Sequence, residues 1–186
     1  GAAVKNVSIT FSTTRGTPAQ TTVSTDNNGI ASTVIRSTTT GPVTISAQSA
    51  SGARDSMTTK FVSVTPSQIK LQASPSAVLP NASGSTTNQS TLTATVRDAF
   101  LNPVEGVVVN FTAIKDLSNG SLVPSSATTD ASGLASVQFI AGPLQTESNG
   151  VQIQASVQGS ATPITDVAKL TVNGSALFIA IGQSNT

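Results

Sequence analysis

The sequence predicts an all-β protein built from two-layer antiparallel sandwiches, and three observations lead to this fold class. Hydrophobic residues make up 37% of the chain and charged residues only 9%, which is too apolar for a disordered, charge-swollen chain. Val and Ile recur at every second position within short runs, as they do in strands with one buried face. Ser, Thr, Gly and Asn, which are typical of turns and of solvent-facing positions, fill the rest.

Internal repetition determines the number of domains. Segments of the first half recur in the second half, and their displacement grows only across loops, which tolerate insertions better than paired strands do. The sequence therefore contains two copies of one module. The matched pairs are Val7–Phe11 with Val107–Phe111 (displaced by 100), Thr25–Ser32 with Thr129–Ser136 (by 104), and Val43–Ala47 with Val151–Ala155 and Val62–Val64 with Leu170–Val172 (both by 108).

The two copies differ in completeness. Phe111 is preceded by two strand patterns, at Ile69–Ala73 and Ser90–Arg97, whereas Phe11 has only ten residues before it. Residues 1–65 are therefore a partial module that lacks its first strands, and residues 66–174 are a complete module. Ser175–Ile179 repeats the register of Ser67–Leu71, so we assign residues 175–186 to the first strand of a following module or to a linker.

The complete module shows five clear strands with apolar side chains at period two, which predicts one buried and one solvated face for each. A count of about seven short strands in roughly 100 residues is that of an immunoglobulin-like sandwich. Leu134 and Ile140 break the alternation, and either cover a sheet edge or face a neighbouring module. The alternating positions are Leu92/Ala94/Val96, Val107/Val109/Phe111, Ala135/Val137/Phe139, Val151/Ile153/Ala155/Val157 and Ala168/Leu170/Val172.

The missing strands of the first copy leave Val7, Ile9 and Phe11 without cover, and an uncovered apolar face with an open sheet edge promotes pairing. We expect a strand from a neighbouring chain, its Leu177–Ile181 segment, to complete the module in a strand-exchange oligomer.

Composition argues against several classes of function. The chain has neither His nor Cys, so the usual general base, the usual nucleophile and the commonest metal ligands are absent, and we expect no enzyme, no cofactor, no metal site and no catalytic residues. A net charge of +1 with no basic run argues against nucleic acid as a partner.

The Ser67–Lys70 match to a Ser-x-x-Lys nucleophile motif lies in an extended segment, where residues three apart point to opposite faces. We attribute it to chance.

Two aspartates suggest either calcium ligands or turn formers. Asp26 and Asp130 each precede a Gly by three positions, in Asp-Asn-Asn-Gly and Asp-Ala-Ser-Gly. No dense Asp-x-Asp-x-Asp-Gly loop accompanies them, and the adjacent Gly favours a turn, because it adopts the left-handed conformation that other residues avoid.

The residues of the second copy resemble a known family. Asn-Pro-Val-Glu-Gly at 102–106 leads into Val107–Phe111, and Thr-Asp-Ala-Ser-Gly-Leu-Ala follows at 129–135. From Leu92 to Val172 the sequence resembles the bacterial immunoglobulin-like domain, group 1, whose modules form the stalks of intimin- and invasin-type adhesins. The first copy departs from the pattern, with Ala3 and Asn6 in place of Pro103 and Gly106.

This resemblance implies an extracellular location on a bacterial cell surface, with outer-membrane anchoring through a part outside this sequence. Two hypotheses of function follow. In the first, neighbouring modules of the same chain form a structural stalk that projects a distal binding element. In the second, the loops Asp116–Ser126 and Gly142–Gly150 bind a host-surface protein ligand directly, because loops on rigid sandwiches often carry recognition.

Overall fold

The computed structural model describes residues 2–174, in which every regular element is a β-strand. Contacts between Cα atoms divide the chain into two compact units. The first unit comprises Gly1–Thr65 with the short loop Asp98–Pro103, and the second comprises Pro66–Arg97 with Val104–Thr186. No helix in the described part has the length and apolar character needed to cross a membrane. The sequence-based assignment of residues 175–186 to an opening strand or linker lies outside the described residues.

The first unit contains one four-stranded antiparallel sheet, in the order β3-β1-β5-β6, and a separate two-stranded ladder of β2 and β4. Its strands are β1 (Ser8–Thr13), β2 (Thr17–Pro18), β3 (Thr22–Ser24), β4 (Ile35–Arg36), β5 (Gly41–Ser49) and β6 (Arg54–Phe61).

The second unit is a sandwich of two sheets, one ordered β12-β10-β14-β15-β8 and the other β11-β13-β9-β7. All of its pairings are antiparallel except that of β8 with β15, which is parallel. Its strands are β7 (Gln68–Ser74), β8 (Ala77–Val78), β9 (Gln89–Arg97), β10 (Val108–Asp116), β11 (Ser121–Val123), β12 (Ser126–Thr128), β13 (Leu134–Ile140), β14 (Val151–Val157) and β15 (Thr165–Val172).

The alternation read from the sequence determines which face of each strand of the second unit is buried. On β9, for example, Leu92, Ala94 and Val96 are fully buried, while the Thr residues between them lie on the outer face. The apolar sets of β10, β13, β14 and β15 meet in the same core, which Val104 from the preceding loop also enters. The predicted all-β fold of antiparallel sandwiches is confirmed. Leu134 and Ile140 lie on the outer face of β13, opposite Thr95 and Gln89 of β9.

The two units differ sharply in the amount of core. Among the described residues, 20 buried hydrophobic side chains form one cluster in the second unit. In the described part of the first unit, Val43 is the only buried hydrophobic residue. Ile9 and Phe11, which lie on the same face as Val43, are only half-buried. The first unit therefore has one of the two layers that a sandwich needs, together with the short β2–β4 ladder.

One predicted equivalence is wrong. We equated Val62–Val64 with Leu170–Val172, but β6 ends at Phe61, before Val62. Val43 of β5 pairs with Thr59 of β6, and its equivalent in the second unit, Val151, pairs with Leu170. Leu170 is therefore the equivalent of Thr59. The displacement along this strand is therefore 111 (59 to 170) and not 108. The physical reason is the hairpin: Ser49 N–H already bonds to Ala53 O, whereas in the second unit Val157 N–H bonds to Ile164 O, across a loop three residues longer.

A threonine holds the entry to the sheet in the same way in both units. Thr25 Oγ1 accepts the N–H of Val7 at 2.9 Å and donates to Val4 O at 2.8 Å. In the second unit Thr129 Oγ1 accepts the N–H of Val107 at 2.9 Å and donates to Val104 O at 2.7 Å. Thr25 and Thr129 are both buried, so the repeat preserves polar interactions as well as the apolar pattern.

Candidate functional site: the paired loops of the second unit

The two loops that the sequence singled out for recognition meet at one end of the second unit. The predicted first loop, Asp116–Ser126, is partly strand: it contains the last residue of β10, all of β11 and the first residue of β12. The predicted second loop, Gly142–Gly150, is irregular throughout. Below, the name paired loops refers to residues 114–120, which include the last three residues of β10, and to residues 142–150.

Asp116 organises the first of the paired loops. Its Oδ1 accepts the N–H and the hydroxyl of Ser118 at 2.8 and 2.7 Å, and its Oδ2 accepts the N–H of Gly120 at 2.7 Å. Asn119 between them adopts a left-handed φ of 58°, which Asn tolerates better than most residues. Three charge-assisted hydrogen bonds therefore fix this turn.

Backbone hydrogen bonds join the two loops. Leu144 N–H donates to Ser118 O at 3.2 Å, and Leu117 N–H donates to Gly150 O at 3.3 Å. Gly142 lies so close that a Cβ there would overlap Ser118 O, so only glycine fits. The loops are thus held in one arrangement by their own backbone.

An exposed ion pair bridges the same two loops. Lys115 Nζ lies 2.7 Å from Glu147 Oε1. The hydrogen bond and the charge of Lys115 hold the pKa of the Glu147 carboxyl below its ordinary value. Because both side chains are solvent-accessible, this pair adds little to stability.

The paired loops also carry exposed apolar side chains. Leu117 and Leu144 leave 47% and 50% of their surfaces exposed, and Ile114, at a bulge in β10, leaves 51% exposed. Leu117 and Leu144 flank the Ser118 backbone on which the loops meet. Rigid loops that present apolar groups to solvent are a surface suited to binding another protein.

The aspartates considered as calcium ligands form turns. Asp130 Oδ1 accepts the N–H groups of Ser132 and Leu134, and Asp26 Oδ1 accepts those of Asn28 and Ile30. The N–H groups of Ile30 and Asn28 lower the pKa of Asp26. In the described residues, no three carboxylates converge to form a metal site.

The Ser67–Lys70 motif lies at the start of strand β7. Lys70 lies on β7 and leaves 74% of its side chain exposed, and its Nζ is 3.3 Å from Asp166 Oδ2. The motif needs a helical turn to bring its lysine to the serine hydroxyl, and a strand gives no such turn.

Asp166 has a structural role that the sequence did not reveal. It lies on β15, and its Oδ2 accepts the N–H of Leu71 on β7, the edge strand of the other sheet, at 2.8 Å. Partial burial raises the pKa of the Asp166 carboxyl, but the N–H groups of Leu71 and Val167 and the Lys70 ammonium outweigh it, so the pKa lies below its ordinary value. Because its partner is 95 positions away in sequence, no local pattern marks this contact.

Several solved structures are similar to this chain. Solved structures with a similar fold include the D0-D1 domain of intimin (TM-score 0.42, 22% identity, 92% of this chain and 85% of that chain covered). Invasin, a bacterial integrin-binding protein, matches with a TM-score of 0.45 and 21% identity, over 93% of this chain but only 34% of its own length. The C-terminal 282-residue fragment of intimin was solved with the intimin-binding domain of the translocated intimin receptor. It matches with a TM-score of 0.42 and 20% identity, over 92% of this chain and 54% of the fragment.

The family model for the bacterial Ig-like domain (group 1) matches residues 68–171, which is more than half of the chain. The matched region begins within β7 and ends within β15, so it coincides with the closed sandwich of the second unit. This chain belongs to the group 1 family of bacterial immunoglobulin-like domains.

Proposed function

We propose that this chain is a non-enzymatic spacer of a bacterial cell-surface adhesin, which carries mechanical load between a distal binding element and the cell. Membership of the group 1 family supports the bacterial and extracellular setting. The absence of His and Cys from the sequence supports a role without catalysis.

The observation that carries the proposal is the parallel pairing of β8 with β15. Thr171 N–H donates to Ser76 O at 3.0 Å, and Asn173 N–H donates to Val78 O at 2.8 Å. These strands lie near the beginning and the end of the second unit. Because they are parallel, tension between the two ends slides one strand along the other and loads both hydrogen bonds at once, instead of opening them in succession.

A single-molecule pulling experiment on the whole chain, held at both termini, tests this role. The Asn173→Pro variant removes the N–H that bonds to Val78 O, and we expect a lower unfolding force for the second unit because forced unfolding depends on the unfolding barrier. The control Asn173→Ala keeps the N–H and should unfold at the wild-type force. Equal forces for wild type and Asn173→Pro would exclude β8 and β15 as the load-bearing pair.

A second candidate function is direct adhesion through the paired loops. The observation that favours it is the exposure of Leu117 and Leu144 on loops fixed by hydrogen bonds, since a preformed apolar surface lowers the entropic cost of binding.

Binding of the labelled chain to cultured host cells separates the two functions. A spacer should show no saturable binding. An adhesive surface should show binding that falls at least roughly tenfold in a Leu117→Ser/Leu144→Ser double variant, because interface energy concentrates in a few buried apolar anchors. Leu134→Ser, which changes an exposed leucine on β13 away from the loops, should leave such binding unchanged.

A further inference from the structure

The second unit has one long edge strand among its described strands. One of its sheets ends in β12 and β8, and the other in β11 and β7. The strands β8, β11 and β12 contain two or three residues each, whereas β7 contains seven. The unpaired N–H and C=O groups of a long edge strand can pair with another chain, and very short edge strands are one way to avoid this. β7 is too long to be protected in this way.

One hydrogen bond identifies the side of β7 that faces away from β9. Leu71 N–H donates at 2.8 Å to Asp166 Oδ2 of the other sheet, so it does not point toward β9. Because backbone groups alternate in direction along a strand, the N–H groups of Ile69 and Ala73 point to the same side as that of Leu71. Asp166 therefore binds the central N–H of this edge.

The same carboxylate places charge at the edge of β7. Asp166 Oδ2 lies 3.3 Å from Lys70 Nζ, and the Asp166 side chain is 25% exposed. A strand that paired with β7 would displace Asp166 from Leu71 N–H and take the carboxylate out of water, which costs free energy. Inward-pointing charged side chains at a sheet edge are a known protection against edge-to-edge pairing.

The repeat keeps an aspartate at this position in both units. Asp55 of β6 pairs with Ala47, as Asp166 of β15 pairs with the equivalent Ala155. In both aspartates Oδ1 accepts the N–H of the following residue, at 2.8 and 2.9 Å. This bond fixes the orientation of the carboxylate and leaves Oδ2 of Asp166 to reach β7.

We propose that Asp166 prevents β7 from pairing with the β7 strand of a second copy of this chain. An antiparallel pair with a two-fold axis at Leu71 lets the two Leu71 residues exchange hydrogen bonds and places Ile69 of each copy opposite Ala73 of the other. This pairing joins the sheets β11-β13-β9-β7 of two copies edge to edge. Asp166 blocks it by occupying the central donor with a charged acceptor. The inference does not depend on the proposed function.

Removal of the carboxylate from the whole chain tests the proposal. In sedimentation equilibrium at neutral pH, we expect the mass of Asp166→Ala to rise toward that of a dimer as its concentration approaches about 1 mM, and to exceed that of wild type throughout. Amide hydrogen exchange at Ile69 and Ala73 should slow as this dimer forms. The matched control Lys70→Ala breaks the same ion pair but keeps the Leu71 hydrogen bond, and should associate no more than wild type.

A proline locates the association on the edge of β7. Ala73→Pro removes an N–H on the side that faces away from β9 and leaves the ladder with β9 intact. The double variant Asp166→Ala/Ala73→Pro should therefore return to the mass of wild type. Asp166→Thr is a second test variant, because threonine favours a strand and lacks the carboxylate that accepts the Leu71 N–H.

Three outcomes would overturn the proposal. The first is that neither Asp166→Ala nor Asp166→Thr associates more than wild type. The second is association of the double variant as strong as that of Asp166→Ala, because the contact would then lie away from β7. The third is equal association of Lys70→Ala and Asp166→Ala, which would assign the protection to the ion pair and not to the occupied N–H.

Discussion

At the residue scale, four aspartates build the same turn. Each accepts the N–H groups two and four positions ahead, and the residue three positions ahead has a positive φ. The sequence marked only the two turns that contain Gly, since Leu and Asn at the left-handed position give a weaker signal. The pairs are Asp26 with Gly29, Asp98 with Leu101, Asp116 with Asn119 and Asp130 with Gly133.

The buried hydroxyl of Thr129 joins two backbone groups of the second unit. Replacement by Val keeps the shape but leaves the N–H of Val107 and the carbonyl of Val104 without their partner. We expect Thr129→Val to lower the free energy of unfolding by about 2–4 kcal/mol, measured by urea denaturation. Thr129→Ser keeps the hydroxyl and should lower the free energy of unfolding by less than half as much. Equal losses of stability in the two variants would show that the threonine methyl group, and not the hydrogen bonds of the hydroxyl, stabilises the unit.

Asp166 makes stability depend on acid pH. Its folded-state pKa lies below the value of about 3.9 expected in the unfolded chain, so its stabilising contribution is complete above that value and is lost as pH falls through the folded pKa. We expect Asp166→Asn to be less stable than wild type at pH 7 and to lose less stability between about pH 5 and pH 2. Parallel stability curves for the two proteins over this range would contradict the assignment.

At the scale of the element, equivalent strands have unequal surroundings. Phe111 on β10 is 3% exposed, enclosed by the opposite sheet, whereas Phe11, at the same position of β1, is half-buried. Sequence alternation predicts the same inward face for both, and both side chains do lie on that face. Only the presence or absence of a second layer separates their environments.

This difference predicts unequal effects of the same substitution. Phe111→Ala removes a closely packed side chain and should destabilise the second unit by about 3–5 kcal/mol. Phe11→Ala should destabilise the first unit by less than half of that, because solvent already reaches the ring and no closed cavity forms. Denaturation followed by NMR signals of each unit measures both values, and similar losses would indicate that Phe11 is covered in solution.

At the scale of the whole molecule, the unequal cores predict two unfolding transitions. The second unit encloses a cluster of 20 buried hydrophobic residues, whereas the first unit has one sheet without a closed second layer. We expect the first unit to melt at a lower temperature, in a separate calorimetric transition, because burial of apolar surface dominates stability. Proteolysis should accordingly cut residues 1–65 before residues 66–174. A single transition shared by both units would contradict this expectation.

The sequence by itself determined the strand faces, the repeat and the family. These features are local: a period of two in apolar residues decides which side of a strand is buried, and the Thr-Asp-x-x-Gly turn recurs in both halves. The register of β6 was not accessible in this way, because the length of a hairpin loop shifts a strand without changing its composition.

Only the tertiary structure decided which groups meet across the sandwich. The contact of Asp166 with the edge of β7, the parallel pairing of β8 with β15 and the junction of the two loops at Ser118 each join residues that are 24 or more positions apart. Such contacts depend on how layers stack, and a linear pattern of apolar and polar residues contains no record of stacking. The sequence thus determined the faces of the strands, while the packing of those faces created the strand pairing and the loop surface on which the proposed functions depend.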